Sequence, residues 1–271
     1  MTVADTQLAF LGAGNMAEAI ARGILRAGVL GADQIVAVDP AEDRRTLFAG
    51  DLGIEAFATA ADAVDPAPTV LVAVKPQVFD EALGPVADRF GPAKLVLTIC
   101  AGVTTAHAEG VLAEGARVVR AMQNTPMLVG RGMAAIAQGA AATEADLATA
   151  ERLLGAAADV IRVPEDLMDA VTAVSGSGPA YFFYLAELLA EAGVAVGLPD
   201  ADARRLARVT FEGAARLMAE TGTDPAELRQ KVTSPGGTTE AALKMFDAMG
   251  LKKAVTEAVR AARDRGAELG T

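Results

Sequence analysis

The sequence predicts an α/β protein: a doubly wound parallel sheet covered by helices on both faces, followed by an all-α second domain. Three observations predict it. Short, continuous apolar runs alternate with helix-period stretches over residues 7–120. The turn Gly12-Ala13-Gly14-Asn15-Met16-Ala17, with spacing G-x-G-x-x-A, joins the first apolar run to the first helical stretch. From about Pro164 onward the strand signals stop and helical patterns run to the end.

In chain order, strands are expected at residues 7–11, 34–38, 69–74, 94–99 and 117–121, and helices at 15–27, 41–51, 77–89 and 104–112. Continuous apolar strands between amphipathic helices imply a parallel sheet buried on both faces. Right-handed crossovers then put ligands at the carboxyl ends of the strands. Gly12 allows a tight turn, Gly14 lacks a Cβ and lets a pyrophosphate approach, and Ala17 lets the helix lie close to its strand. The N–H groups and positive dipole end of the helix start suit phosphates. This pattern points to a dinucleotide, NADP or NAD. The second strand ends at Asp39, whose carboxylate can accept hydrogen bonds from the adenosine ribose and would repel a 2′-phosphate. Arg44 and Arg45 follow, able either to neutralise such a phosphate or to form a solvated helix face, so both cofactors stay open.

The run Val72-Ala73-Val74-Lys75-Pro76 is a strand entering a turn. Pro76 suits a first helical position and Lys75 stands beside the crevice. Residues 98–103 repeat the idea, with Ala101 and Gly102 at the crevice. Cys100 reads as a small buried filler rather than a nucleophile, because no histidine is near it in sequence. The only histidine, His107, falls on the surface of the 104–112 helix. Asn124 follows another strand, where it can donate to a carboxamide or turn the backbone; it is counted among the cofactor residues. Residues 132–137 can form a last strand and 144–157 a closing helix, which sets the domains at 1–163 and 164–271.

The second domain carries helical patterns at 179–196, 200–220, 238–249 and 251–269. Two glycine turns introduce helices there: Ser175-Gly176-Ser177-Gly178-Pro179 and Ser234-Pro235-Gly236-Gly237-Thr238-Thr239, the latter with Glu240 in the first turn. Each offers N–H groups and hydroxyls, and the pair together points to a small-anion site. The aromatic cluster at 181–184 belongs to a core or an interface.

Composition narrows the function class. Apolar residues make up 52% of 271, high for a monomer, so further burial at a subunit interface is expected. A net charge of −11 speaks against a nucleic-acid partner or an anionic membrane surface. One cysteine excludes an internal disulfide, and one cysteine with one histidine excludes zinc-ligand spacing, so no metal is expected. The first strand begins almost at once, leaving no visible signal peptide, and the apolar runs are too short to span a bilayer. A soluble, cytoplasmic protein is expected.

These motifs together resemble pyrroline-5-carboxylate reductase, the last enzyme of proline synthesis, along nearly the whole chain. The anchors are the 12–17 turn, Ala73-Val74-Lys75-Pro76, Ala101-Gly102-Val103, Asn124-Thr125-Pro126, Asp166-Leu167-Met168-Asp169-Ala170-Val171-Thr172 and the two C-terminal glycine turns. The resemblance implies a Rossmann domain followed by a helical domain that interlocks with its twin in a homodimer; such dimers often assemble into decamers. It implies hydride transfer from NADPH or NADH to the C=N carbon of 1-pyrroline-5-carboxylate. By the same resemblance Gly12, Ala13, Gly14, Asn15 and Met16 cradle the pyrophosphate, while Ala73, Val74, Lys75, Pro76, Ala101 and Gly102 line the crevice. The N–H groups of Gly237 and Thr238 receive the substrate carboxylate. Thr239 bonds the ring nitrogen and is the catalytic candidate, with Ser177 and Glu165 near the same pocket. The family site is shared between subunits.

The residues agree with this chemistry on their own account. A ketone reductase needs a proton donor for the developing alkoxide, commonly histidine, and the only histidine is badly placed. A cyclic imine can arrive already protonated, which leaves orientation as the protein's task. The sequence departs from the family at Asp39, where members using NADPH usually carry a small polar residue. It departs again at Thr59-Ala60, where asparagine often contacts the adenosine, and at Lys231, where some members have asparagine. Two other readings compete: a 3-hydroxy-acid dehydrogenase of similar layout, which would need a catalytic lysine in a second-domain glycine motif, and a non-catalytic nucleotide-sensing protein.

Overall fold

The computed structural model describes residues 6–270 and divides into two compact units. The first holds the chain up to Ser177 together with residues from Ala262 onward; the second is Gly178–Ala261.

The first unit is built on one sheet of eight strands: β1 (Leu8–Leu11), β2 (Ile35–Val38), β3 (Glu55–Phe57), β4 (Thr69–Val72), β5 (Leu95–Thr98), β6 (Arg117–Gln123), β7 (Gly132–Gln138) and β8 (Ala158–Arg162). Their order across the sheet is β3-β2-β1-β4-β5-β6-β7-β8. The chain therefore reverses its direction of winding between β1 and β4, and the crevice of such a fold opens there.

Burial on both faces follows from the strand sequences. In β1, Leu8 and Phe10 enter one core cluster while Ala9 and Leu11 enter the other. The first cluster is closed by α1 (Asn15–Arg26), α2 (Glu42–Asp51) and α6 (Glu144–Leu154), through Ile20, Phe48 and Leu147. The second is closed by α3 (Ala61–Val64), α4 (Phe79–Leu83) and α5 (Thr105–Val111), through Val64, Phe79 and Ala108. Each fully buried Phe or Leu contributes about 1.5–3 kcal/mol, so the sheet is a rigid base for the loops at its carboxyl edge.

Three local features differ from the sequence expectation. The sheet is not wholly parallel, because β7 runs antiparallel to β6; the short link between them is too short for a crossover. The edge strands β3 and β8 were not foreseen: both are largely exposed or half-exposed and carry no continuous apolar run. The single helix expected over 77–89 is broken into the 3-10 turn Pro76–Val78, α4 and the 3-10 turn Gly84–Arg89, because Pro85 lacks an N–H and follows Gly84.

Beyond β8 the chain makes the 3-10 turn Glu165–Leu167, α7 (Met168–Val171) and a π-helical turn, Thr172–Gly176. The compact division falls after Ser177, not after Val163, because this stretch packs on the sheet. Met168 is fully buried with Ala135 and Ala137 of β7.

The second unit contains α8 (Gly178–Ala195), α9 (Asp200–Thr221), α10 (Pro225–Lys231), α11 (Thr238–Ala248) and the start of α12 (Leu251–Leu269). Small residues let α8 and α9 pack closely, with Ala190, Ala203 and Ala207 buried between them. The unforeseen α10 has an orthodox start, since Asp224 accepts the Ala226 N–H at 2.8 Å and Pro225 takes the first turn. Much of the unit's apolar surface is uncovered, with Phe182, Phe183 and Tyr184 of α8 exposed by 62%, 70% and 61%.

Candidate active site

The β1–α1 turn is shaped for a bound anion. Gly12 has φ +99°, and a Cβ there would lie 2.8 Å from the Ala73 carbonyl oxygen, so only glycine fits. Its N–H donates to Val38 O at 2.8 Å, and the Ala73 N–H donates to Leu11 O at 2.8 Å, which ties the turn to β2 and to the end of β4. Gly14 is the N-cap of α1, with φ −68° and no side-chain cap. A Cβ on Gly14 would meet nothing within 4 Å. The space is open, and the first-turn N–H groups of α1, including those of Asn15 and Met16, have no helical acceptor by geometry. The residues therefore fit a dinucleotide pyrophosphate. Asn15 is exposed and Met16 is half-buried against the core.

Ala13 is engaged otherwise. Its N–H donates to Asp39 Oδ2 at 2.8 Å and its carbonyl accepts from Arg44 Nε at 2.6 Å. Asp39 thus stands at the crevice mouth, its Oδ1 accepting the Ala41 N–H at 2.9 Å. Arg44 Nη2 also donates to Glu18 Oε2 at 2.8 Å, and Arg22 Nε to Glu18 Oε1 at 2.9 Å. Burial pushes the Glu18 carboxyl up, but the bonds from Arg44 and Arg22 outweigh it and hold the group below its usual range.

Across the switch point, Ala73 and Val74 are half-buried, Lys75 is exposed and Pro76 opens a 3-10 turn. Ala101 and Gly102 follow β5, with Gly102 at φ +79° and a Cβ position 3.2 Å from the Leu269 carbonyl oxygen. Pro76, Ala101, Gly102, Asp169, Thr172 and Leu269 line a cavity of about 540 Å³ in this unit. His107 reaches its margin as an exposed residue, with Nε2 2.8 Å from Asp80 Oδ1. Cys100 is buried and its Sγ donates to Val74 O at 3.2 Å; burial pushes its thiol up to about 11. It is a filler, as the sequence indicated.

Two residues are more heavily engaged than the sequence suggested. The Asn124 Oδ1 accepts the Met133 N–H at 2.9 Å, and Nδ2 donates to Ser175 O and Oγ at 3.3 and 3.2 Å. Its amide joins the end of β6 to the π-helical turn that leads into α8, and such turns concentrate at functional sites. Glu165 accepts the Thr105 N–H at 2.7 Å and Arg120 Nη1 at 3.2 Å on Oε1, and the Thr105 hydroxyl on Oε2. It anchors the start of α5 and neutralises Arg120, which is 5% exposed. Ser177 is half-buried, its N–H closing the π-turn on Thr172 O at 2.8 Å.

In the second unit, α11 starts at a turn of similar design. Gly236 has φ +71°, a conformation that strains any side chain, and a Cβ on Gly237 would crowd Ser234, 2.5 Å from its Oγ and 3.0 Å from its carbonyl oxygen. The Gly237 N–H donates to Ser234 O at 3.0 Å and is spent on the turn. Among the described residues nothing engages the N–H groups of Thr238 and Thr239, which stand at the uncapped start of this 11-residue helix. Thr238 is exposed and Thr239 half-buried. Glu240 reaches back to accept the Gly236 N–H at 3.0 Å, one residue before the N-cap Gly237.

Comparison with known proteins decides the family. The profile "Pyrroline-5-carboxylate reductase dimerisation" matches residues 165–269, and "NADP oxidoreductase coenzyme F420-dependent" matches residues 7–102. A pyrroline-5-carboxylate reductase of Pseudomonas aeruginosa is 41% identical over 264 residues, covering 97% of this chain and 96% of its own. The chain belongs to the pyrroline-5-carboxylate reductase family. Among solved structures, the family member from Coxiella burnetii superposes with a TM-score of 0.92 at 34% identity, covering 98% of this chain and 99% of its own. The Plasmodium falciparum enzyme, crystallised with NADP bound, gives 0.84 at 25% identity, with 99% of each chain covered. Family membership makes the chain an oxidoreductase that uses NADP or NAD, and assigns it the last step of proline biosynthesis. The dimerisation profile and the uncovered apolar surface of α8 go with a homo-oligomer. Among the described residues no helix is long and apolar enough to cross a membrane.

Proposed function

We propose that the chain reduces 1-pyrroline-5-carboxylate to L-proline, using one glycine-turn helix start to hold the cofactor and the other to hold the substrate. The observation that carries this reading is the pairing of an uncapped α1, beside open space at Gly14, with an uncapped α11 at Thr238 and Thr239. One start suits a pyrophosphate and the other a carboxylate, as hydride transfer to an imino acid requires. The cofactor, when bound, supplies the hydride for the C=N carbon.

The chain's own groups position and screen. Gly14, Asn15 and Met16 hold phosphate oxygens through their N–H groups, while Gly12 and Ala13 shape the turn and Asp39 receives the adenosine ribose. Ala73, Val74, Lys75, Pro76, Ala101 and Gly102 form the crevice wall. Thr238 and Thr239 take the substrate carboxylate on backbone N–H groups, with Gly237 holding their turn. The Thr239 hydroxyl orients the ring nitrogen, and Ser177 borders the same pocket. Asn124 and Glu165 act from behind, as struts for the 175–177 turn and the start of α5. An imine that enters protonated forms no oxyanion, so alignment against the hydride donor supplies most of the acceleration. Homodimers form through the helices of the second domain and assemble into decamers in the cytoplasm. As in the family, one subunit's C-terminal motif serves its partner's cofactor.

Purified protein supplied with NADH and 1-pyrroline-5-carboxylate is expected to oxidise the cofactor with stoichiometric L-proline and to be idle with 3-keto acids. Turnover of 3-keto acids at a comparable rate, or cofactor binding without turnover of any imine, would overturn it.

A further inference from the structure

The neighbourhood of Asp39 carries a second message, which rests on the proposed ribose role of that residue. Two cations follow β2, and both are committed. Arg45 Nη1 donates to Asp39 O at 2.8 Å and to Pro40 O at 2.7 Å. Arg44 spans the glycine turn, with Nε on Ala13 O at 2.6 Å and Nη2 on Glu18 Oε2 at 2.8 Å. The Arg44 and Glu18 side chains are each 20% exposed, so this ion pair is less screened than a solvated one. A dinucleotide bearing a 2′-phosphate adds nearly two negative charges beside Asp39. It can be accommodated when a nearby arginine is free to take it.

We propose that Glu18 is a specificity-determining residue: by holding Arg44 across the glycine turn, it withholds that guanidinium from a 2′-phosphate, and with Asp39 it sets a preference for NADH over NADPH. Glu18 needs no contact with the cofactor. It acts from the first turn of α1 through Arg44, which explains why an Asp-x-x-x-x-Arg-Arg sequence can look ambiguous and still discriminate.

The test is calorimetric binding of NADH, NADPH and adenosine 2′,5′-bisphosphate, a fragment with no nicotinamide, to the full-length protein. Wild type should bind NADH more tightly than NADPH. Glu18→Gln should move the NADPH-to-NADH affinity ratio about tenfold toward NADPH and tighten the bisphosphate by a similar factor, as one freed charge-assisted contact would. Adding Arg44→Gln should abolish both gains. Glu18→Ala gives the same reading in a second background, and a melting curve for each variant shows whether it is folded. If Asp39→Ser shifts the ratio but neither Glu18 variant does, the Glu18 inference fails and the ribose role stands. If Asp39→Ser leaves both affinities unchanged, the ribose role itself fails.

Discussion

Gly12 and Gly14 sit two residues apart in one turn, yet alanine should damage the protein differently at each. At Gly12 the φ of +99° and a Cβ position 2.8 Å from Ala73 O and 2.9 Å from Ala73 C both oppose a side chain. The left-handed backbone costs about 1–2 kcal/mol and the overlap, against backbone that cannot rotate away, about 1–3 more. A loss of about 2–5 kcal/mol in a chain of this size lowers the melting temperature by roughly 5–15 °C. At Gly14 the φ is −68° and nothing lies within 4 Å of the Cβ position. Gly14→Ala therefore costs the fold only about 0.5–1 kcal/mol, as an N-cap change. Its methyl group instead enters the space left for phosphate. Losing one charged hydrogen bond there is worth about 1.5–3 kcal/mol, or about 10- to 150-fold in Kd. Scanning fluorimetry and a NADH fluorescence titration on both variants read the two effects separately. A folded Gly14→Ala protein that binds NADH as tightly as wild type would refute the phosphate cradle.

Three further outcomes are expected. Thr239→Val should lower kcat/KM for the imine by about tenfold or more with NADH affinity nearly constant, as loss of one oriented hydrogen bond predicts; the reverse pattern would put Thr239 elsewhere. Asn124→Ala removes three hydrogen bonds and should destabilise by about 2–3 kcal/mol, raising KM for the imine more than KM for NADH; equal effects on both would deny it a role at the 175–177 turn. Cys100, with its thiol raised to about 11 from 9.0, should resist thiol reagents at pH 8 until the protein unfolds. Because the folded thiol keeps its proton where the unfolded one ionises, this group's contribution to stability falls as pH rises above about 9, and Cys100→Ser should flatten that decline.

How much of this the sequence disclosed depends on whether the signal was local. Continuous apolar strands and the Gly12–Gly14 spacing are local, and they located the sheet and crevice. The antiparallel β7 was missed because strand direction depends on the length of a link, not on strand composition. β8 and β3 were missed because edge strands are half-exposed and lack the run that marks a buried one. The break after Ser177 was displaced to Val163 because Met168 and Glu165 bind the sheet through partners 30 to 60 residues away in sequence. The same holds within the site: Asp39 was legible by its place after β2, whereas the Arg44–Glu18 bridge joins residues 26 apart on different helices. Glu240 was legible as a first-turn acid, but its bond to the Gly236 N–H was not.

The most direct test of the proposed site is a crystal structure of the protein with NAD and L-proline. The product carboxylate should lie within about 3 Å of the Thr238 and Thr239 N–H groups of one subunit or the other, with the ring carbon facing the nicotinamide. A carboxylate held by another group, with the α11 start empty, would contradict the assignment.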